Sequence, residues 1–128
     1  MNQSKPRILT GDRPTGPLHL GHYVGTLANR VKLQDQYDCY FIMADLHTLT
    51  TNFSKAKTSN LNDRVRGLVL DYLSVGIDPA KSVIYQQSQV PEVTYLSLIF
   101  SMLISVPRCQ RVPTLKDVMK DFLKDVLK

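Results

Sequence analysis

Three short apolar runs, separated by segments of helical periodicity, constrain this chain more than any other feature of its 128 residues. Arg7-Ile8-Leu9-Thr10 is a short run stopped by Gly11, and Cys39-Tyr40-Phe41-Ile42-Met43-Ala44 is continuous and bounded by polar residues. Such a continuous run predicts a strand covered on both faces. Val83-Ile84-Tyr85 supplies a third strand. Between the runs, Leu20, Tyr23, Val24, Leu27 and Val31 recur at helical spacing and end near Gln34. Leu61, Val65, Leu68, Val69, Tyr72 and Leu73 trace a second amphipathic helix, stopped at Gly76 with Pro79 just beyond. Val93 to Val106 is apolar nearly all round, which predicts a helix buried on most sides, in the core or against a partner subunit.

Strand and helix in alternation mean parallel strands joined by right-handed crossovers. The fold class is therefore α/β, a Rossmann-like parallel sheet with flanking helices and about three strands, and the length over 1–128 suits a single domain. Ligands of such sheets lie beyond the carboxyl ends of the strands, so the loops after Thr10, Ala44 and Tyr85 are where chemistry is expected. A hydrophobic content of 43% excludes disorder as the main state. The net charge of +5 fits an anionic partner such as ATP or RNA without requiring one. The greasiest stretch, Val93 to Val106, carries three Ser and one Thr and is shorter than the roughly 18–20 residues of a membrane span. The polar start Met1 to Arg7 does not read as a signal peptide, and Cys39 and Cys109 lack metal-type spacing. No membrane association and a reducing, cytoplasmic location are the corresponding expectations.

Gly11, Gly16 and Gly21, with Pro14 and Pro17, crowd the segment between the first strand and the first helix. Backbone N–H groups at such a helix start are expected to be free for an anion. A P-loop is excluded, because Gly11 and Gly16 are followed by Pro17, while Gly16 and Gly21 are followed by His22. The Gly16, Gly21 and Gly25 spacing does not fit the dinucleotide fingerprint either. What stands there is Pro14-Thr15-Gly16-Pro17-Leu18-His19-Leu20-Gly21-His22. His19 and His22 are three apart, on one face of the first turn, and two imidazoles there can donate to phosphate oxygens as charge builds during displacement at phosphorus. Gly21 leaves room for a flat ring against the backbone. A zinc pair, which would need further ligands, and plain surface histidines are the alternatives.

His19-Leu20-Gly21-His22 resembles the "HIGH" signature of class I aminoacyl-tRNA synthetases, in its usual place after the first strand. Thr10 to Gly16 with Leu18 to Gly25 is similar to the bacterial tryptophanyl-tRNA synthetase family. The similarity continues through Ala44-Asp45-Leu46-His47, Asp71 to Pro79 and Gln87 to Glu92, and fades after Thr114. The resemblance implies ATP-dependent activation of L-tryptophan, with Mg2+, and transfer to tRNA(Trp). It places Arg13, Pro14, Thr15, Gly21 and His22 at ATP and gives His19 and His22 the catalytic role on the α-phosphate. Leu9, Gly11, Ala44 and His47 fall on the wall of the amino-acid pocket, with turn capping as the alternative for Asp45 and His47. A homodimer is implied, with Val93 to Val106 in the family's interface region. The family's second signature, KMSKS, is not among these residues, so the chain alone is expected to charge little or no tRNA.

Three other readings stand beside this one: a tyrosyl-tRNA synthetase, a small nucleotidyltransferase with the same His-x-Gly-His, and a dimerising nucleotide-binding fragment without activity. Gln87 to Glu92 is of the tryptophan type, and a nucleotidyltransferase leaves the later motifs unexplained. From Lys116 onward a four-residue Lys-Asp repeat places Asp117/Lys120, Asp121/Lys124 and Asp125/Lys128 three apart. It reads as a solvated amphipathic helix, with a nucleic-acid patch as the alternative.

Overall fold

The computed structural model describes the backbone over residues 5–50 and 59–126, and side chains over 5–50 and 59–120. Strand β1 (Arg7–Asp12) leads to a short helix α1 (Leu20–His22), a π-helical turn (Tyr23–Leu27) and α2 (Ala28–Leu33). Strand β2 (Asp38–Met43), helix α3 (Asp45–Thr48), helix α4 (Leu61–Ser74) and strand β3 (Ser82–Gln86) follow, then a 3-10 turn over Gln87–Gln89. Helices α5 (Pro91–Leu103), α6 (Val106–Cys109) and α7 (Pro113–Val126) close the chain. Two compact units result, Met1–Val90 and Pro91–Lys128.

The sheet of the first unit has the order β1-β2-β3, and both pairings are parallel, as the alternation predicts. Its core forms where one face of β2 (Cys39, Phe41, Met43) meets Val65, Leu68 and Tyr72 of α4, with Leu27 and Ile77 completing the cluster. Phe41 and Tyr72 meet edge to face, a favoured aromatic geometry, with centroids 5.9 Å apart. The other face of β2, Tyr40 and Ile42, is half-buried, so the continuous apolar run is fully covered on one side rather than two.

Three expectations change. Gly11 does not stop β1, which runs on to Asp12 with Gly11 opposite Ile42. A Cβ on Gly11 would lie 1.9 Å from the Ile42 carbonyl oxygen, so this glycine serves close strand approach rather than a turn. The first helix is interrupted by the π turn. The expected stripe holds at Leu27, which is buried, and at Val31, which packs against the core, while Leu20, Tyr23 and Val24 are exposed and Arg30 and Gln34 face inward instead. Gln34 staples the end of α4: its amide donates to Gly76 O at 2.8 Å and accepts from Asp78 N at 2.8 Å, and Gly76 sits at φ 103°, the left-handed stop a glycine suits. Finally, every side chain of α5 is exposed, so its apolar residues form no core within the second unit.

In the second unit, the helical reading of the tail holds over Pro113–Val126, and Lys120 pairs with Asp117 at 3.6 Å on the surface. An exposed pair of this kind adds little stability. The pairs Asp121/Lys124 and Asp125/Lys128 lie outside the described side chains.

Candidate functional site

The loop after β1 brings several polar groups together. A cleft of about 440 Å3 is lined by Asp12, Arg13, Thr15, Gly16, Pro17, Leu18, His19 and His22. Its rim is fixed from below by α4, because Asp71 Oδ2 accepts from Leu18 N at 3.1 Å. Pro14 is fully buried beneath the loop and shapes it without lining the cleft.

His19 is the N-cap of α1, with extended backbone (φ −127°, ψ 173°). Its Nδ1 accepts from Gly21 N at 3.1 Å, while His22 Nδ1 accepts from His19 N at 3.2 Å. The two imidazoles thus form a reciprocal capping box in the places where Ser or Thr and Glu ordinarily stand. Two amides at this helix start, those of His19 and Gly21, are therefore occupied by the rings rather than free for an anion. A ring nitrogen that accepts from a backbone N–H carries no proton, so the neutral tautomer that fits each ring has its N–H on Nε2. The donor capacity of the helix start is moved outward from backbone to Nε2–H. The rings lie 4.0 Å apart between centroids at 58°, close enough for two donors to serve one phosphate group. A Cβ on Gly21 would fall 2.8 Å from His19 Cε1, so this glycine makes room for the capping imidazole itself.

Behind the cleft lies a buried cluster with no signal in the sequence beyond an Arg and a Tyr on apolar helix faces. Asp12 Oδ2 accepts from Arg30 at 2.7 Å and from the Tyr72 hydroxyl at 2.6 Å. Arg30 also reaches the Tyr72 hydroxyl, Thr10 Oγ1 at 3.3 Å and Gly11 O at 3.5 Å. Burial pushes the Asp12 carboxyl up, but the hydrogen bonds from Arg30 and Tyr72 and the Arg30 charge outweigh it, holding the group below its ordinary value. Burial and the Asp12 hydrogen bond push the Tyr72 phenol well above its own.

The remaining candidates sit elsewhere. Leu9 is 65% exposed on β1. Ala44 follows β2 as the N-cap of α3, donating its N–H to Asp12 O at 3.0 Å and accepting from Thr48 Oγ1 at 3.1 Å. His47 is exposed on α3, with its N–H donating to Gln87 Oε1 at 3.1 Å. Asp45, 3% exposed, accepts from Gln86 Nε2 at 2.7 Å and Ser88 N at 3.0 Å, tying the ends of β2 and β3 together. Burial raises the Asp45 carboxyl, yet the bonds from Ser88 and Gln86 win and keep it below its ordinary value. The structure thus gathers Arg13, Thr15, His19 and His22 at one cleft and leaves Leu9, Gly11, Ala44, His47 and Gly21 outside its lining.

The model of the family "tRNA synthetases class I (W and Y)" matches residues 1–127. The chain belongs to this family. Within these class I synthetases it is 58% identical over 112 residues to the tryptophan–tRNA ligase of Treponema pallidum, covering 88% of this chain and 33% of that protein. It is 54% identical over 123 residues to the one from Chlamydia caviae, covering 94% and 35%. The chain thus spans about a third of the length of these relatives. The crystal structure of the Campylobacter jejuni tryptophanyl-tRNA synthetase complexed with ADP and tryptophan superposes with a TM-score of 0.79 at 32% identity. That match covers 90% of this chain and 35% of the synthetase chain. A tyrosyl-tRNA synthetase from Archaeoglobus fulgidus, at 19% identity and a TM-score of 0.71, shares the fold.

Proposed function

We propose that this chain supplies the ATP-activating portion of a tryptophan–tRNA ligase. The observation that carries the reading is the imidazole capping box: both Nδ1 atoms are taken up by backbone amides, which leaves Nε2 of His19 and His22, two residues that line a 440 Å3 cleft, for a ligand. In the reaction, a tryptophan carboxylate oxygen attacks the α-phosphorus of ATP, the bond to the bridging oxygen breaks, and pyrophosphate leaves. His19 and His22 hold the α-phosphate oxygens as negative charge grows on them, and their protons stay on Nε2 throughout. Arg13 adds a cation and Thr15 a hydroxyl to the same cleft. Leu9, Gly11, Ala44 and His47 form the side from which the amino acid approaches, and the aminoacyl group then passes to tRNA(Trp). Among the described residues no group of three or more His, Cys, Asp or Glu could hold a metal ion. Mg2+ commonly enters such a site with the nucleotide's own phosphates. Pairing of two copies through α5 and action in the cytoplasm complete the proposal; no described helix is long and apolar enough to cross a membrane.

The test is ATP–pyrophosphate exchange by a chimera in which this chain replaces the corresponding third of the Treponema pallidum ligase. Exchange dependent on tryptophan and not on tyrosine is expected, with kcat reduced about 10²–10³-fold in His19→Ala and in His22→Ala, as for loss of a transition-state donor. A folded chimera that exchanges with tyrosine, or keeps full kcat in both variants, contradicts it.

A further inference from the structure

The cleft assigned to an anion has a carboxylate in its wall. Asp12 lines it together with Arg13, His19 and His22, and its side chain is 23% exposed. A bare carboxylate facing a triphosphate would oppose binding. Both donors that reach it, the Arg30 guanidinium and the Tyr72 hydroxyl, converge on the same oxygen, Oδ2, from the protein side. Arg30 is 6% exposed and Tyr72 fully buried, so neither touches the cleft. The guanidinium also lies 5.5 Å from the centroid of the Tyr72 ring, and its other contacts, Thr10 Oγ1 and Gly11 O, are on β1. This arrangement has two sides. A buried guanidinium without a carboxylate is strongly disfavoured, so Asp12 holds Arg30 in place. Arg30 and Tyr72 in turn withdraw the negative charge of Asp12 from the cleft.

We propose that Arg30 and Tyr72 are positioning residues that screen the Asp12 carboxylate, converting a cleft with an acidic wall into one that accepts a nucleotide triphosphate. The inference rests on the ATP reading above. It adds that affinity for the phosphates depends on two residues that never contact them, on α2 and α4, because they set the charge presented by the end of β1. Screening makes a prediction that a purely structural role does not. The defect left by removing a screening group must scale with ligand charge, and removing the Asp12 charge must cure it.

Equilibrium dialysis of the full chain against ATP and against uncharged adenosine tests this. Arg30→Gln is expected to weaken ATP binding about tenfold, and Tyr72→Phe, which keeps the ring packing, about threefold, with adenosine binding unchanged in both. Adding Asp12→Asn to Arg30→Gln, which removes both charges of the buried pair together, restores ATP affinity to within about twofold of wild type, since the amide keeps the shape and loses the charge. If Arg30→Gln does not fold, the comparison of ATP with adenosine in Tyr72→Phe decides alone. Equal losses for ATP and adenosine, no loss in Tyr72→Phe, or a double variant no better than its single parent would overturn the screening role while leaving the ATP reading intact. A wild-type chain that binds adenosine but not ATP, or neither, would overturn both.

Discussion

Replacing Gly21 by alanine separates what the capping imidazole does for stability from what it does for the nucleotide. Gly21 has ordinary helical geometry, since the one positive-φ glycine among the described residues is Gly76. Helix propensity alone therefore favours alanine by about 0.5–1 kcal/mol. Against this, the new Cβ would sit 2.8 Å from His19 Cε1 and 3.0 Å from Nδ1. The imidazole must swing away, and the bond from Gly21 N to His19 Nδ1 goes with it, a cap loss of about 1 kcal/mol. The two effects nearly cancel. Thermal unfolding should place the variant within about 5 °C of wild type, because 1 kcal/mol moves the midpoint of a domain of this size by about 4–8 °C. The displaced ring no longer presents Nε2–H to the cleft, so ATP affinity measured by dialysis should fall at least tenfold. Gly67→Ala on α4 is the control: nothing lies within 4 Å of its Cβ, so it should gain about 0.5–1 kcal/mol and bind ATP as wild type does. A Gly21→Ala chain with unchanged ATP affinity would refute the reasoning, and so would one stabilised as much as Gly67→Ala.

Two further outcomes follow from the geometry. Gly11→Ala drives a Cβ into the Ile42 carbonyl and should cost at least the roughly 1–3 kcal/mol of an overpacked core, read as a lower urea midpoint with loss of β1–β2 amide protection. Acid should destabilise the chain through Asp12 and Asp45: both carboxyls are held below their ordinary value, so their contribution is complete above the ordinary carboxylate range and is lost as pH falls through the lowered folded values. The midpoint of thermal unfolding should therefore drop steeply below about pH 4, and less steeply in Asp45→Asn; equal slopes in both chains would remove Asp45 from the account.

Much of this arrangement was legible in the residues, for physical reasons that can be named. The strands show because β2 is a continuous apolar run and β3 is stapled at the end of a helix that stops at Gly76, a local signal of high specificity. The cleft shows because His19-Leu20-Gly21-His22 lies in a turn between strand and helix, which is a matter of order along the chain. What did not show depends on distance in space. Arg30 and Tyr72 are 42 residues apart, and Arg30 shares the inward face of Leu27, where a charged side chain is not expected from an apolar stripe. Periodicity places Leu27 and Val31 correctly against the core but also assigns the stripe to Leu20 and Val24, which are exposed. The second task of Gly11, admitting the Ile42 carbonyl, is likewise set by register between strands and is invisible in a turn-like string. The spacing presents the histidine pair as two donors beside free amides, whereas the rings themselves cap two of those amides, because a side chain reaches a backbone N–H two or three residues away.

In the proposed function, His19 and His22 stand as Nε2–H donors toward a nucleotide phosphate. Long-range 1H–15N NMR of the histidine side chains, recorded during titration with ATP, tests it most directly. The account predicts that both rings carry their proton on Nε2 before ATP is added and that both Nε2–H signals shift on binding, while His47 on α3 moves less. Protons on Nδ1 in the free chain, or His19 and His22 signals that stay still as ATP saturates, would contradict it.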